Sequence, residues 1–515
     1  MVRTISWKSE FLSLSRRFGQ RPAIVDREGT TTYAELFARV AGIGRSVREA
    51  GVPHGHPVAT LVPNGSHAVA ASLGVTLSGA AEARLNPALS ADDLRHCMTT
   101  AGIRMVITNA TLAPLVRSLG ARVIELASIQ AVDLAAGDFP NVAEAAWGVL
   151  NFTSGTTGKP KGIVHTHAGR WMANMLLRAV LPVAPNASDN LLLVTPYSHG
   201  AGAMTHAYLD SGACVTLLPG VVTAEVLSLI ETRKITQMFA PPTVLAKLLS
   251  EADGRQLKGL KTVFTGTSPL SGQLYRRAKR AFGPVIRVTY GKSEVWNPIT
   301  VLAPAEADAW YGEAGEPETV CVGWPASGVE LSIAPLEGAD QSGAGSGSMG
   351  VVQIKAKHMA IGTLADGRFT GEADNGFHAT GDLGLIDDRG RLHLCGRVAD
   401  IMKTGGYRVN PEEVEAPLRD AVAPAEITIV GLPSSYWGEI ITAVVVSPTT
   451  PPGLAQAITQ LTSYKRPRLV AELDQIPRNA IGKVERRKAR DIILERYILE
   501  DGPYPRLIRR SRQAK

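Results

Sequence analysis

The sequence predicts an α/β protein, with a large N-terminal domain of layered α/β sheets plus a β-rich subdomain, followed by a small α+β domain. Three observations lead to this prediction. Short aliphatic or β-branched runs alternate with longer amphipathic segments in the first part of the chain, which is typical of sheets covered by helices. After Tyr311 the chain is rich in turn residues. From Asn410 onward a second, short α/β pattern begins.

The elements follow from local pattern. Ser66–Gly79 has helical character, and Asn410-Pro411-Glu412-Glu413 indicates a helix start, with an N-cap, a proline in the first turn and acids near the positive end of the dipole. The predicted strands are Val58–Val62, Arg104–Thr108, Leu191–Thr195, Cys214–Leu218, Gln237–Ala240, Thr262–Thr265, Ile286–Tyr290, Val351–Ile354 and Leu383–Ile386.

Composition excludes several classes of protein. The chain has 515 residues, of which 45% are hydrophobic and 20% charged, so wholesale disorder, collagen-like repeats and a coiled-coil rod are excluded. Lys and Arg number 54 against 47 Asp and Glu, a net charge of +7. This mild excess suits anionic ligands such as nucleotides and is too small to indicate nucleic-acid binding.

Targeting signals and membrane spans are not apparent. The first residues lack an apolar signal-peptide core, and no run approaches ~18 apolar residues. The four cysteines lack metal-ligand spacing, so we expect a cytoplasmic protein with reduced thiols and no stable membrane association. The basic tail Arg506–Lys515 is expected to be a frayed, solvated end.

The strongest motif is FTSGTTGKPKG, residues Phe152–Gly162. Glycines let backbone N–H groups approach an anion, hydroxyls add donors, and a lysine adds a mobile charge. A Walker A loop is excluded because a proline follows the lysine. The predicted phosphate-binding residues are Thr153, Ser154, Gly155, Thr156, Thr157, Gly158 and Lys159.

This string resembles the phosphate loop of the adenylate-forming superfamily, which comprises acyl-CoA synthetases, luciferases and peptide-synthetase adenylation domains. Further motifs match in the same order over nearly the whole chain, and they are most similar to those of an acyl-CoA synthetase. The resemblance implies ATP, Mg²⁺ and CoA as cofactors and co-substrates. It also implies a mobile C-terminal domain, with domains at 1–397 and 398–515 and a hinge near Ala399.

Two further segments resemble the nucleotide-binding motifs of the family. The run Tyr290-Gly291-Lys292-Ser293-Glu294 is similar to the YGxTE motif, which implies packing of Tyr290 on adenine, donation from Ser293 to the α-phosphate, and Mg²⁺ binding by Glu294. The turn Gly266-Thr267-Ser268-Pro269 is similar to a GGAP turn that lines the adenine.

The remaining catalytic positions lie toward the C-terminus. By resemblance, Asp382 accepts hydrogen bonds from the ribose hydroxyls and Arg397 reaches the ribose and phosphate. Lys483 neutralises the charge that develops when a carboxylate attacks the α-phosphate. Lys403 matches the lysine that serves thioester formation. Ala399 stands where relatives carry Asp or Lys, so an altered second step is an open alternative.

The sequence defines the carboxylic acid substrate less well. His199, in TPYSHGAG, resembles a residue that borders the acyl pocket and thiol channel, whereas His165 and His167 are expected to be structural. Other pocket candidates are Tyr197, Gly200, Ala201, Gly202, Ala240 and Trp296. No acid flanks His199 to pair with an ammonium, so an α-amino acid is not expected, and a medium-chain or aromatic acid is predicted.

Alternatives to an acyl-CoA synthetase remain open at this stage. They are a ligase that loads the phosphopantetheine of a carrier protein, a non-catalytic nucleotide-binding relative, and a kinase or P-loop NTPase, against which the proline after Lys159 argues. The oligomeric state is also open, a homodimer included.

Overall fold

The computed structural model describes residues 2–154, 160–252, 254–312, 319–336, 348–372, 376–423, 425–447, 451–479 and 483–510. Four main sheets, together with helices, build the described part of the chain. The predicted α/β class is confirmed. Among the described residues, no helix is both long enough and apolar enough to cross a membrane.

The first sheet has eight strands and is mixed. Its parallel half joins buried aliphatic strands, and its other half is antiparallel around the strand that follows the glycine-rich loop. In spatial order the strands are Arg368–Gly371, Gly362–Ala365, Pro160–Thr166, Trp147–Ser154, Ala81–Arg84, Pro57–Leu61, Met105–Thr108 and Arg122–Glu125.

The second sheet has seven strands, all parallel except for the last pair. Its strands are rich in Val, Ile, Leu and Phe because both faces are covered. In spatial order they are Ile286–Val288, Thr262–Thr265, Gln237–Phe239, Asn190–Leu193, Cys214–Leu217, Pro22–Asp26 and Gly29–Thr32.

The core between these two sheets contains the helix Ser66–Ser78, which is buried on every side except for partial exposure at His67. It packs on the helix Tyr33–Glu49 at Gly74, where a Cβ atom would lie 2.5 Å from Ile43 Cγ2. A small residue there lets the two helices approach closely. The apolar character of this helix therefore follows from its position between two sheets.

A third sheet contains the turn-rich part of the sequence. Its six antiparallel strands are Thr300–Val301, Val320–Pro325, Leu392–Arg397, His378–Ile386, Gly350–Ala356 and Val329–Ala334. The last main sheet consists of Tyr407–Val409, Met402–Thr404, Gly438–Val446 and Glu426–Ser434, with Leu469–Glu472 added in parallel. The chain thus passes from the third sheet to the last sheet between Arg397 and Met402. The domain boundary predicted near Ala399 remains a prediction.

The helices cover these sheets, and several of them begin at side-chain caps. Thr32 and Glu35 form a reciprocal capping box, and Asn410 Oδ1 accepts a hydrogen bond from Glu412 N at 3.3 Å. The helices are Trp7–Phe18, Tyr33–Glu49, Ser66–Ser78, Ala91–Thr100, Ala113–Ser118, His167–Ala179, Gly202–Leu209, Thr223–Glu231, Pro242–Glu251, Gly272–Phe282, Pro304–Tyr311, Pro411–Val422, Leu454–Gln460 and Arg486–Arg496.

One prediction about the C-terminal end is wrong. Arg506–Arg509 is not frayed but pairs antiparallel with Tyr497–Glu500. The aliphatic pair Leu507 and Ile508 supports a strand here, and Leu507 packs against the apolar cluster beneath the hairpin. Basic composition alone therefore misjudged this segment. A two-residue pairing at the other end joins Thr4–Ile5 to Val142–Ala143.

Candidate active site

Two turns meet at the carboxyl ends of adjacent parallel strands of the second sheet, Thr262–Thr265 and Ile286–Val288. Such an edge is where open α/β sheets bind ligands. Thr289 N donates to Thr265 O at 2.9 Å. A Cβ atom at Gly266 would lie 2.4 Å from Thr289 O, so this position requires glycine. The predicted adenine turn and the Tyr290 motif are thereby held together.

Thr267 has an unusual backbone conformation in the adenine turn. Its φ is +72°, in the left-handed region that a β-branched residue rarely adopts. Its Oγ1 is buried and, within the described part of the chain, has no hydrogen-bond partner. A strained residue with an unused hydroxyl is typical of a ligand-binding turn.

Asp382 is the centre of a polar cluster. It lies opposite Arg397 in the third sheet, and its Oδ1 is 3.1 Å from Arg397 Nε. Its Oδ2 accepts from the Tyr290 hydroxyl and lies 3.5 Å from Lys292 Nζ. Burial and then the Asp382 carboxylate raise the pKa of Tyr290 well above its usual value, so the phenol stays a donor. Lys292 Nζ also donates to Thr380 O at 2.7 Å.

Lys483 brings the C-terminal part of the chain to this cluster. Burial lowers the pKa of Lys483 to about 8; Arg397 and Lys292 lower it further, while Asp382 and Glu294 oppose them. The ammonium group of Lys483 therefore lies close enough to these four charged groups to interact with each of them. Asn479 fixes its backbone, since Lys483 N donates to Asn479 Oδ1 and Asn479 N donates to Lys483 O, both at 2.9 Å.

The segment that carries Ser293 and Glu294 is positioned through its backbone. His165 Nε2 lies 2.8 Å from Ser293 O, and since a carbonyl only accepts, Nε2 carries the proton. Ala360 N donates to Glu294 O at 2.8 Å. Burial lowers the pKa of His165 to about 4, so the imidazole is neutral. Its ring also contacts Trp296 edge-on, with ring centroids 5.3 Å apart.

His199 lies in a short irregular helix, Tyr197–Ala201, with non-helical backbone angles of its own. Burial and then the charge of Arg84 lower the pKa of His199, so a neutral imidazole borders this side of the site. Arg84 was not predicted from the sequence. The available signal was a pair of charges, Glu82 and Arg84, in an otherwise apolar strand that the structure buries.

Some predicted residues lie away from this cluster or outside the described chain. Lys403 has an exposed side chain on the last sheet, and its N donates to Glu439 Oε2 at 2.7 Å. Ala399 is exposed in a 3₁₀ turn. Thr153 and Ser154 are the last two residues of the strand before the phosphate loop, where they pair with Lys161 and Pro160. The loop residues Gly155, Thr156, Thr157, Gly158 and Lys159 lie outside the described residues.

The residues present fit a magnesium nucleotide. Three cations, Lys292, Arg397 and Lys483, face two carboxylates, Asp382 and Glu294, which leaves an excess positive charge suited to phosphates. Nowhere among the described residues do three or more His, Cys, Asp or Glu side chains group into a metal site. A single carboxylate such as Glu294 nevertheless suits Mg²⁺, because in nucleotide sites this ion keeps several waters and is bound by one or two carboxylates together with substrate phosphates.

Comparison with known proteins identifies the family. The profile described as AMP-binding enzyme matches residues 13–362, so the chain belongs to this family. A medium/long-chain-fatty-acid–CoA ligase of Mycobacterium tuberculosis is 31% identical over 382 residues, which cover 71% of this chain and 64% of that protein. A 4-chlorobenzoate–CoA ligase of an Arthrobacter species is 27% identical over 503 residues and 92% of each chain.

Solved structures agree on the fold. An o-succinylbenzoate CoA synthetase of Bacillus subtilis, in complex with its acyl-adenylate intermediate, matches with a TM-score of 0.78 and 24% identity, over 95% of this chain and 99% of that one. The predicted family, fold class and enzyme class, an AMP-forming acid–thiol ligase, are confirmed by these findings.

Proposed function

We propose that the chain activates a medium-chain or aromatic carboxylic acid with ATP and transfers the acyl group to CoA. The observation that carries the proposal is the meeting of Lys483, Arg397 and Lys292 with Asp382 and Glu294. These charges come from three distant segments of the sequence. A nucleotide with a carboxylate beside its α-phosphate is the ligand whose charges they complement.

In the first step, the acid attacks the α-phosphate of ATP, the bond from that phosphorus to the bridging oxygen breaks, and pyrophosphate leaves. Asp382 is proposed to hold the ribose and Arg397 the ribose and phosphate. The Lys483 ammonium lies between two approaching anions and stabilises their charge. Glu294 would hold Mg²⁺, which supplies further positive charge at the phosphates.

In the second step, the CoA thiol attacks the acyl carbon of the adenylate and AMP leaves. Lys483 and Lys403 belong to the same C-terminal segment, but Lys483 is at the cluster while Lys403 is exposed. This arrangement supports an assignment of Lys483 to the first step. Lys403 would act after a rotation near Ala399.

The size of the acid is inferred from the cavity beside the cluster. It is a small cavity, bordered by Trp296 and Gly202. This supports an acid of modest length. The relatives named for chlorobenzoate and for medium- or long-chain acids are consistent with an aromatic or aliphatic acid.

The test is release of pyrophosphate and formation of AMP with Mg·ATP over a panel of aliphatic and aromatic acids, with and without CoA. We expect CoA-dependent turnover with one class of acid, and loss of pyrophosphate release in Lys483→Gln. Lys488→Gln is the matched control, since Lys488 is exposed and 4.0 Å from Glu485. Adenylate formation without CoA turnover would instead favour a carrier-protein acceptor, and no activation of any acid would contradict the proposal.

A further inference from the structure

A buried cluster of charges lies beside the acyl side of the candidate site. Glu82, Arg84 and Arg170 are each no more than 4% exposed. Glu82 Oε2 lies 3.0 Å from Arg84 Nε and 3.2 Å from Arg170 Nη1. It also accepts from Ser72 Oγ at 2.7 Å, while Glu82 Oε1 accepts from Thr60 Oγ1 at 3.2 Å.

This cluster has a net charge of one positive unit. Two guanidinium groups share a single carboxylate, and Glu82 already accepts hydrogen bonds from four groups. Burial alone would raise the pKa of Glu82, but Arg84 and Arg170 hold it below its usual value, so the carboxylate is ionised. Burial lowers the pKa of His206; Asp210 opposes this shift, and the two arginines add to it.

Other charges near the cluster are already paired. Asp210 lies 3.3 Å from Arg178 Nη1 and accepts from Asn174 Nδ2 at 2.6 Å. Glu294, whose charge acts on the same His165 imidazole as Arg84, is the carboxylate proposed for Mg²⁺. Among the residues that the structure describes, the excess charge at Arg84 and Arg170 therefore has no counter-ion of its own. A buried, uncompensated cation is costly.

One donor of the cluster is directed to open space. Arg84 uses Nε for Glu82 and Nη2 for Ser72, whereas no acceptor for Nη1 lies among the described residues. The guanidinium borders two small cavities. A Cβ atom at Gly202 would lie 2.7 Å from Nη1, so glycine gives the guanidinium its place in the cavity wall.

One of these cavities lies next to Trp296, which contacts His165. Trp296 lines it and lies between two partners, with Arg84 Cζ 5.2 Å from its ring centroid and His165 5.3 Å away. His165 in turn holds Ser293, next to Glu294. Besides burial, the charge of Arg84 also lowers the pKa of His199, which lies on the same side. An acid that reacts beside Glu294 would therefore extend past Trp296 toward Arg84.

We propose that the acid activated by this protein carries a second carboxylate at its far end, which binds Arg84 in the cavity bordered by Gly202 and Trp296. The inference rests on the proposed function, whose substrate class it narrows to dicarboxylic acids. The far carboxylate supplies the missing negative charge and accepts from Nη1. A monocarboxylic acid of the same length would place an apolar end against a buried guanidinium, which is unfavourable.

The competing explanation is that the cluster only stabilises the fold. Buried ion pairs do occur for reasons other than ligand binding. That explanation predicts no preference at the far end of the acid. It also predicts that replacing Arg84 affects stability alone, so matched pairs of acids separate the two explanations.

The experiment compares acids that differ only in the far group, namely hexanoate with adipate and benzoate with terephthalate and isophthalate. Two quantities are measured: the kcat/KM for AMP formation, and calorimetric binding in the presence of AMP without CoA. The variants are Arg84→Gln and Arg84→Lys. The control is Arg255→Gln, which removes a guanidinium from an exposed pair with Glu231.

We expect the wild type to prefer at least one dicarboxylic acid over its monocarboxylic match. In Arg84→Gln, KM for that acid rises about 10- to 100-fold, the loss of one charged hydrogen bond, while constants for the monocarboxylic acid change little. Arg84→Lys keeps the charge and retains part of the preference, and the control retains all of it. Should Arg84→Gln not fold, Gly202→Ala displaces the guanidinium without removing its charge.

The outcomes separate this inference from the proposed function. The inference would be overturned if the protein preferred the monocarboxylic acid in every pair, by both binding and turnover. It would also be overturned if no dicarboxylic acid bound, or if Arg84→Gln changed the constants of both acids equally. Dicarboxylate binding that Arg84→Gln weakens, without AMP formation from any acid, would contradict the proposed function and support the inference.

Discussion

At the scale of single residues, Lys483 has the property that most directly controls the chemistry. Burial lowers its pKa to about 8, with Arg397 as the next cause. Because the proposed role of Lys483 in the first step uses the ammonium form, we expect kcat/KM for adenylation to be constant below pH 8 and to fall as pH rises through it. The measurement is isotope exchange between pyrophosphate and ATP without CoA, so that the thiol does not contribute to the profile.

Lys483→Arg provides the check on this pH profile. A guanidinium stays charged throughout the accessible range, so the variant should be slower but lose its alkaline limb. If kcat/KM of Lys483→Arg still falls above pH 8 as in the wild type, another group is responsible for the titration.

Thr267 leads to a second prediction at this scale. Left-handed backbone costs a non-glycine residue about 1–2 kcal/mol, partly offset by the greater entropy that glycine loses on folding, about 0.5–1 kcal/mol. Thr267→Gly should therefore raise the free energy of unfolding by up to about 1 kcal/mol, measured by urea titration. It should also weaken ATP binding about 2- to 10-fold, the value of one neutral hydrogen bond.

Thr267→Ser separates the two effects, because it keeps the hydroxyl and removes the β-branch. ATP affinity should stay near that of the wild type. If the serine and glycine variants lose affinity equally, Oγ1 does not contact the nucleotide.

The sequence predicted some of these residues and not others for a physical reason. Asp382 and Lys483 lie in short motifs whose residue types suit the chemistry proposed for them, so local sequence is informative. Arg84 and Glu82 stand in a short strand, where charges ordinarily indicate an exposed face. Their burial depends on Arg170, which is close only after folding, and a local pattern does not contain such information.

At the scale of elements, Arg486 joins three parts of the C-terminal segment. At the start of the helix Arg486–Arg496, its Nη1 lies 2.9 Å from Asp400 and 2.8 Å from Glu412, and its Nη2 lies 2.9 Å from Glu415. One guanidinium thus serves three carboxylates. Burial raises the pKa of Glu412 to about 7; Arg486 opposes this, and Glu415 and Asp400 add to it.

This raised pKa predicts pH-dependent stability. The folded state binds the proton of Glu412 more tightly than the unfolded state, in which the carboxyl has its ordinary pKa of 4.5. The free energy of unfolding should therefore decrease as pH rises from about 4.5 through about 7, by on the order of 1–3 kcal/mol. Thermal or urea unfolding at pH 5 and pH 8 measures it.

Glu412→Gln is the test, because a neutral amide removes the titration. The variant should match the wild type at pH 5 and exceed it in stability at pH 8. Glu485→Gln, at a partly exposed carboxylate, should keep the pH dependence of the wild type. Equal pH dependence in Glu412→Gln would show that another group titrates.

Prediction of the elements succeeded where periodicity is local. Thr262–Thr265 has the predicted bounds, and Cys214–Leu217 differs by one residue at its end. Trp147–Ser154 and Pro160–Thr166 were missed as strands because the glycine-rich loop between them dominates the composition. The order of strands in the sheets was not predicted, since pairing depends on contacts far apart in the sequence.

At the scale of the whole molecule, the structure has one arrangement of the C-terminal segment, and the two proposed half-reactions need two. Gly396 lies against this segment, where a Cβ atom would be 2.5 Å from Asn410 Oδ1 and 2.7 Å from Glu412 Oε2. Asn410 Nδ2 also donates to Cys395 O. These contacts join the strand that ends at Arg397 to the helix Pro411–Val422 and keep Lys483 at the cluster.

Rotation about the exposed turn at Ala399 would break these contacts. It would remove Lys483 from the cluster and bring Lys403 to the site in its place. We therefore expect Lys483→Gln to lower adenylation at least about 100-fold, as for loss of an electrostatic transition-state contact, and to spare thioester formation from supplied acyl-adenylate. Lys403→Gln should do the reverse. Single-turnover assays of each half-reaction measure both effects.

Ala399→Asp tests the turn itself. An aspartate there stands beside Asp400, already 2.9 Å from Arg486, and adds a negative charge to a cluster rich in carboxylates. This shifts the balance between the two arrangements without touching either lysine, so thioester formation should change more than adenylation. Equal effects on both half-reactions would place the rotation elsewhere in the chain, because a substitution at the pivot alters the exchange between arrangements rather than the chemistry in either one.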